Sequence, residues 1–267
     1  MSMSRRVPYA LSLALLAAPA WSQTAPKNSD EDRMRAAAAA DPKKYTIDES
    51  TIHITKVGPG VSPQDIPSPG GGIGSVIPVL DQIINIGQKL WKIVDDNKPV
   101  VDVKTQYATA LPKGSTGWQD IGGWHAPEGT VYNLTAKNGY GIKVIDVQYE
   151  VLRTYGGSYD GTGKYLTAVT IAAPKVDVLW GYHFSMASAV PDSSIVNVGT
   201  SQNPVAGMMV TLSWDISTPI KDSKGQGLYF LQGDGAYKDV GGAFTSESLE
   251  NAKKKLAAAK ESAPSFN

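Results

Sequence analysis

The stretch "GGGIGSVIPVLDQIINIGQKLWKIV", residues 70–94, is the one on which the fold turns. Placed at ~100° per residue, Val76, Ile77, Val79, Leu80, Ile83, Ile84, Ile86, Leu90, Trp91, Ile93 and Val94 fill an arc of roughly 200°. Asp81, Gln82, Asn85, Gln88, Lys89, Lys92, Asp95 and Asp96 fill the remainder. Ser75 is suited to cap the first turn, and Pro78 falls within that turn, where its missing N–H costs little. Asn97 suits a left-handed stop, and Pro99 blocks continuation. The pattern predicts an amphipathic helix over 76–96, about 30 Å long. Three uses fit its wide apolar face: packing across the domain's own core, meeting a partner or second copy, or entering a membrane surface. The interface residues would be Ile73, Ile77, Ile84 and Trp91.

Beyond Pro99 the apolar period changes to that of a strand. "GTVYNLTAK" sets Tyr132, Leu134 and Ala136 on one face. "IKVIDVQYEVLRTY" alternates Ile145, Val147, Tyr149 and Val151 against Asp146, Gln148 and Glu150. "KVDVLWGYHFSM" sends Val176, Val178, Trp180, Tyr182, Phe184 and Met186 one way, with Asp177, Leu179, Gly181 and His183 opposite. "AGMMVTLSWDIST" does the same with Ala206, Met208, Val210, Leu212, Trp214 and Ile216. The turns are "KNG" at 137–139, Asp160-Gly161 and Asp234-Gly235. Strands follow one another up to about Tyr237 with no helix between them, which predicts an antiparallel β-sandwich. The expected fold is mainly β: a sandwich with one long N-terminal amphipathic helix packed on it and a short C-terminal helix.

Four regions are expected. Residues 1–22 read as a signal peptide, with Arg5 and Arg6 before the apolar run "YALSLALLAA" and small residues at cleavage spacing. Residues 23–75 read as a flexible Pro/Gly-rich arm. Within it, "EDRMRAAAAADPKK" has helix-forming composition but no second apolar face, so it reads as mobile leader. A strand is expected there at 50–57, where Ile52 and Ile54 alternate with His53 and Thr55. Residues 76–244 hold the helix and sandwich. Residues 245–267 form a C-terminal helix or tail with a narrow stripe at Leu249, Ala252, Leu256 and Ala259.

Composition excludes several functions. Twenty-five basic and 25 acidic residues cancel, against the basic excess of a nucleic-acid binder. With no cysteine there is no disulfide, thiolate nucleophile or acylated cysteine. His53, His125 and His183 lack metal-binding spacing, so no metal and no cofactor is expected. No stretch after the leader is long and apolar enough for a permanent transmembrane span. No nucleophile elbow, phosphate loop or dinucleotide fingerprint is present, so the chain reads as not an enzyme. A hydrolase whose acids are unrecognised stays open as an alternative. The β region has only two glutamates, Glu128 and Glu150, with Glu150 expected on the solvent face, and aspartates could serve in their place.

Ligand-binding candidates are aromatic: Trp118 and Trp124 in the glycine-rich "GWQDIGGWHAPEG", and Tyr155, Tyr159 and Tyr165 around "GGSYDGTGKY". Packing onto the core competes with binding at each of them. "GIGSVIPVL" resembles the start of melittin, and a helix ahead of an aromatic-bearing sandwich resembles the layout of actinoporin-type pore formers. That resemblance implies a membrane-active protein inserting residues 72–96. The balance of Lys89 and Lys92 against Asp81, Asp95 and Asp96 favours packing instead. The leading expectation is an exported protein, periplasmic, outer-membrane-associated or secreted. It would bind a ligand or a protein, glycan or lipid surface partner, as a monomer or an oligomer.

Overall fold

The computed structural model describes residues 29–60, 78–100, 106–115 and 117–241. In chain order these form α1 (Ser29–Ala40), β1 (Ile47–Pro59), β2 (Val79–Asn85), β3 (Leu90–Asp95), β4 (Lys98–Pro99), β5 (Ala108–Lys113), β6 (Glu128–Asn138), β7 (Lys143–Tyr159), β8 (Thr162–Val178), β9 (His183–Ala189), β10 (Ile195–Asn197), β11 (Ala206–Ser217), β12 (Asp222–Gln232) and β13 (Tyr237–Gly241). Sheet A runs β1-β6-β7-β8-β5-β2, and sheet B runs β13-β12-β11-β9-β3-β4. β10 pairs with β11 beyond the end of β9. All of these strand pairings are antiparallel, and the two sheets face each other as a sandwich.

The segment predicted as a long helix is two strands in different sheets. β2 pairs with β5 in sheet A, and β3 pairs with β9 in sheet B. The apolar arc misled because the segment is rich in Val and Ile, whose stiff side chains favour a pleated backbone over a helix. Gly87 breaks it where the chain crosses between sheets, and a Cβ there would strike the backbone of Tyr107 and Ala108. The left-handed Asn97 is real, but it serves a hairpin. Asp96 and Asn97, at φ 44° and 66°, form the two-residue turn between β3 and β4. Asn97 also donates from Nδ2 to the Tyr182 carbonyl at 3.0 Å and accepts from the Phe184 N–H at 2.6 Å.

The expected strand at 50–57 is the centre of β1, with Ile52 buried. The leader expected to be mobile contains α1. Asp30, Glu31 and Asp32 favour its N-terminus and the alanine run its body. Ala38 and Tyr45 are buried, so tertiary docking supplies what the weak helical stripe lacks. Ile73, Ile77, the expected signal peptide and the expected C-terminal helix or tail lie outside the described residues.

The core is built by the alternations read from the sequence. Tyr132, Leu134 and Ala136 of β6, Ile145, Val147, Tyr149 and Val151 of β7, and the even-numbered positions from Ala206 to Ile216 of β11 are buried between the sheets. β7 and β8 form a 17-residue-per-strand hairpin closed by Asp160 and Gly161, at φ 46° and 76°. Four register shifts along it bend both strands around the core.

Four tyrosines join the layers at one side. Tyr132 and Tyr149 of sheet A stack with ring centroids 5.4 Å apart. Tyr149 and Tyr229 of sheet B share a hydroxyl–hydroxyl hydrogen bond of 2.5 Å, and Tyr132 and Tyr237 share one of 2.7 Å. Burial pushes the phenols of Tyr149, Tyr229 and Tyr237 far above their usual range.

Two outcomes test this quartet. Tyr149→Phe and Tyr229→Phe should each cost about 1–3 kcal/mol, because each strands one buried hydroxyl, while the double variant should cost less than the two singles together. A urea-denaturation double-mutant cycle reads this. An unfolded tyrosine releases its proton near pH ~10, whereas the folded quartet holds its protons well beyond. The stabilisation is therefore complete below pH ~10 and lost above it, so phenolate absorbance from the quartet should appear only with alkaline unfolding.

Candidate functional site

One end of the sandwich holds the aromatics expected to form a binding rim. The loop from Gly117 to Pro127 folds back on β7 through Gly122–Ser158 hydrogen bonds of 3.0 and 2.8 Å and through the His125 N–H to the Tyr155 carbonyl at 2.9 Å. Trp118 is half-buried in a short 3-10 turn of this loop. Trp124 lies on Gly157, where a Cβ would come within 2.5 Å of the indole, and its Nε1 donates to the Ile121 carbonyl at 3.1 Å. His125 stacks on Tyr155 at 4.8 Å. The Tyr155 hydroxyl donates to Glu128 at 2.6 Å, which raises its phenol pKa. The other carboxylate oxygen of Glu128 accepts from Arg153 at 3.1 Å, and the buried guanidinium lies 4.8 Å from the centre of the Tyr237 ring.

Trp124, Tyr155 and Tyr159 thus gather at one end, half-buried against the core. Tyr165 does not join them at the surface. It is fully buried, its hydroxyl donates to the Leu80 carbonyl, and burial pushes its phenol up to about 12. Of the interface residues expected from the helix, Trp91 is buried in the core and Ile84 is exposed on β2. Gly157→Ala should destabilise the protein by about 1–3 kcal/mol through its clash with Trp124, read by thermal unfolding.

The two glutamates do not share a cleft. Glu128 opposes Arg153 and has the inward parity of Tyr132, whereas Glu150 neighbours inward Tyr149 and points to the opposite face of sheet A. Contrary to the expected solvent position, Glu150 is buried, and its carboxyl covers Gly60 and Gly129. Burial raises its pKa. Its neutral form is favoured on folding, so wild-type stability should fall as pH rises from about 4.3 through the folded value. Glu150→Gln should remove that decline, as read by urea midpoints from acid to neutral pH.

A trough of about 520 Å³ crosses β3, β9, β11 and β12 on sheet B. Ser185, Ala187 and Ser213 lie along it, flanked by the ion pairs Lys92–Asp95 at 2.9 Å and Lys224–Asp215 at 2.6 Å. Each lysine is already paired with a carboxylate. Among the described residues, no three His, Asp or Glu side chains are grouped to hold a metal ion.

The opposite end, roughly 50 Å away along β7, has a different surface. The β6–β7 turn exposes Tyr140 by 54% and Ile142 by 52%, and the β8–β9 turn exposes Leu179 by 50% and Trp180 by 61%. The turns adjoin: the Leu179 N–H donates to the Val144 carbonyl at 3.0 Å. The Trp180 ring rests edge-on against buried Tyr45, 6.3 Å between centroids, and Tyr45 stacks on Tyr182. Beneath the apolar tips the backbone is closed. The Asn138 side chain accepts from the Tyr140 and Ile142 N–H groups at 3.1 and 3.0 Å. The N–H groups of Asn138, Gly139 and Gly141 bond to the carbonyls of Ile142, Thr46 and Asn138.

Strand alternation had placed Trp180 with the buried Phe184 and Met186. The chain instead turns after Val178, which puts Trp180 on the turn. The available signal was chemical: "NGYGIK" and "VLWGY" set large apolar side chains beside turn glycines, where polar residues are usual. No family model, no curated protein and no solved structure matches the chain.

Proposed function

We propose that the chain is an exported, non-enzymatic β-sandwich protein. It binds a ligand or partner at the bacterial cell envelope or outside the cell, and it docks through the end that carries Tyr140, Ile142, Leu179 and Trp180. The carrying observation is the concentration of four half-exposed, large apolar side chains on two adjoining turns. A single exposed apolar residue is ordinary, but a local group of them marks an interaction surface. The tips rest on Tyr45, Tyr182 and Asn138, which hold them in one shape before any partner arrives. Export rests on the sequence reading of residues 1–22 as a signal peptide.

Two competing readings have less support. Insertion of a 72–96 helix would need residues that instead form β2 and β3, with Trp91, Ile93 and Val94 in the core. A hydrolase using Glu128 and Glu150 would need both acids in one cleft, and they lie on opposite faces of sheet A.

The test is co-sedimentation of the full chain with a bacterial envelope fraction. Wild type should sediment with it, and the Leu179→Ser/Trp180→Ser double variant should lose about tenfold or more of that binding. Both side chains are half-exposed, so the variant's circular dichroism and thermal unfolding should match wild type closely. Equal sedimentation of the two proteins would end the docking proposal.

A further inference from the structure

We infer that the surface met by the Tyr140–Trp180 end is the headgroup region of a phospholipid bilayer, entered by the tips of the β6–β7 and β8–β9 turns. This rests on the docking reading above and names its partner class. The first observation is the residue types. Trp and Tyr, with apolar rings and polar ends, favour the membrane–water interface, and here they stand beside Ile142 and Leu179. The second observation is the backbone. Five consecutive N–H groups, from Asn138 to Ile142, are all bonded within the protein, although the turn projects into solvent. Water would satisfy an exposed turn without such an arrangement. A turn that leaves water must carry its own partners, because an unpaired N–H in a lipid environment is costly.

The third observation is charge. Lys43 lies over the Tyr140 ring at 4.9 Å, and Asp41 accepts from the Tyr140 hydroxyl at 3.0 Å. Next to Ile142, Lys143 pairs with Asp146 at 2.8 Å. Lys143 with Asp146, and Lys43 and Asp41 against the same Tyr140, thus set opposite charges beside the tips, an alternation that matches zwitterionic headgroups. The whole chain is also neutral, and without Arg5 and Arg6 of the expected signal peptide acidic residues slightly outnumber basic ones, so it has no net attraction to an anionic surface. Binding should therefore depend weakly on anionic lipid and on salt.

The experiment is flotation of the full chain with vesicles of pure phosphatidylcholine and of phosphatidylcholine mixed with phosphatidylglycerol. It is paired with fluorescence quenching by brominated lipid. Wild type should float with both, with affinities within about threefold of each other, and Leu179→Ser/Trp180→Ser should bind roughly tenfold or more weakly. Trp180→Phe should still float but lose most of the bromine quenching, because the indole that enters the lipid is gone. Flotation only with the anionic vesicles would overturn the headgroup match argued here. No flotation with either vesicle would overturn the lipid assignment. If envelope co-sedimentation then still depended on Leu179 and Trp180, the docking reading would stand with a protein as partner. If it did not, both would fall.

Discussion

Two hydroxyl pairs between the sheets, Tyr149–Tyr229 and Tyr132–Tyr237, constrain how the layers sit. Hydrophobic burial drives sheets together but does not fix their offset, because it is non-directional. A phenol buried without a partner is costly, so each tyrosine must meet its mate across the gap. That ties the β6–β7 register to the β12–β13 register. Arg153 extends the same join, resting on Tyr237 and reaching Glu128, which in turn holds Tyr155.

The constraint also separates the two ends. At the β7–β8 turn the aromatic side chains are used inward: Trp124 covers Gly157, His125 covers Tyr155, and Glu128 joins Tyr155 to Arg153. At the other end Tyr45, Tyr182 and Asn138 support the turns from beneath, and the remaining apolar side chains face outward. One strand, β7, runs from one regime to the other. The same aromatic composition thus closes one end of the sandwich and opens the other.

Much of the fold was legible where one sheet face is buried. The period-two patterns of β6, β7 and β11 place Tyr132, Tyr149 and Trp214 correctly, because a one-residue slip would expose the whole set. Residues 79–95 were misread, since a wide helical arc and two short strands divided between sheets produce the same apolar density. The distinguishing facts, β5 waiting beside β2 and β9 beside β3, are non-local. α1 was underestimated for a similar reason: Met34 and Arg35 border a cleft with His183 and Ser217 of distant strands, and the adjoining Tyr45 rests on Trp180 and Tyr182. The aromatic candidates were identified by type, but composition cannot tell a tyrosine facing the core, such as Tyr165, from one beside it that reaches the surface, such as Tyr155.

By itself the sequence determined the strand class, the left-handed positions at Asn97 and Asp160-Gly161, and the lack of cysteine chemistry. These are local properties: side-chain stiffness, alternation and backbone sterics act within a few residues. Tertiary structure alone decided that Asn97 closes a hairpin instead of a helix, that Glu150 is buried, and that Trp180 stands outside while Trp91 stands within. Each of those outcomes depends on which distant strand lies alongside, and burial is a property of the packed layers that no single strand carries.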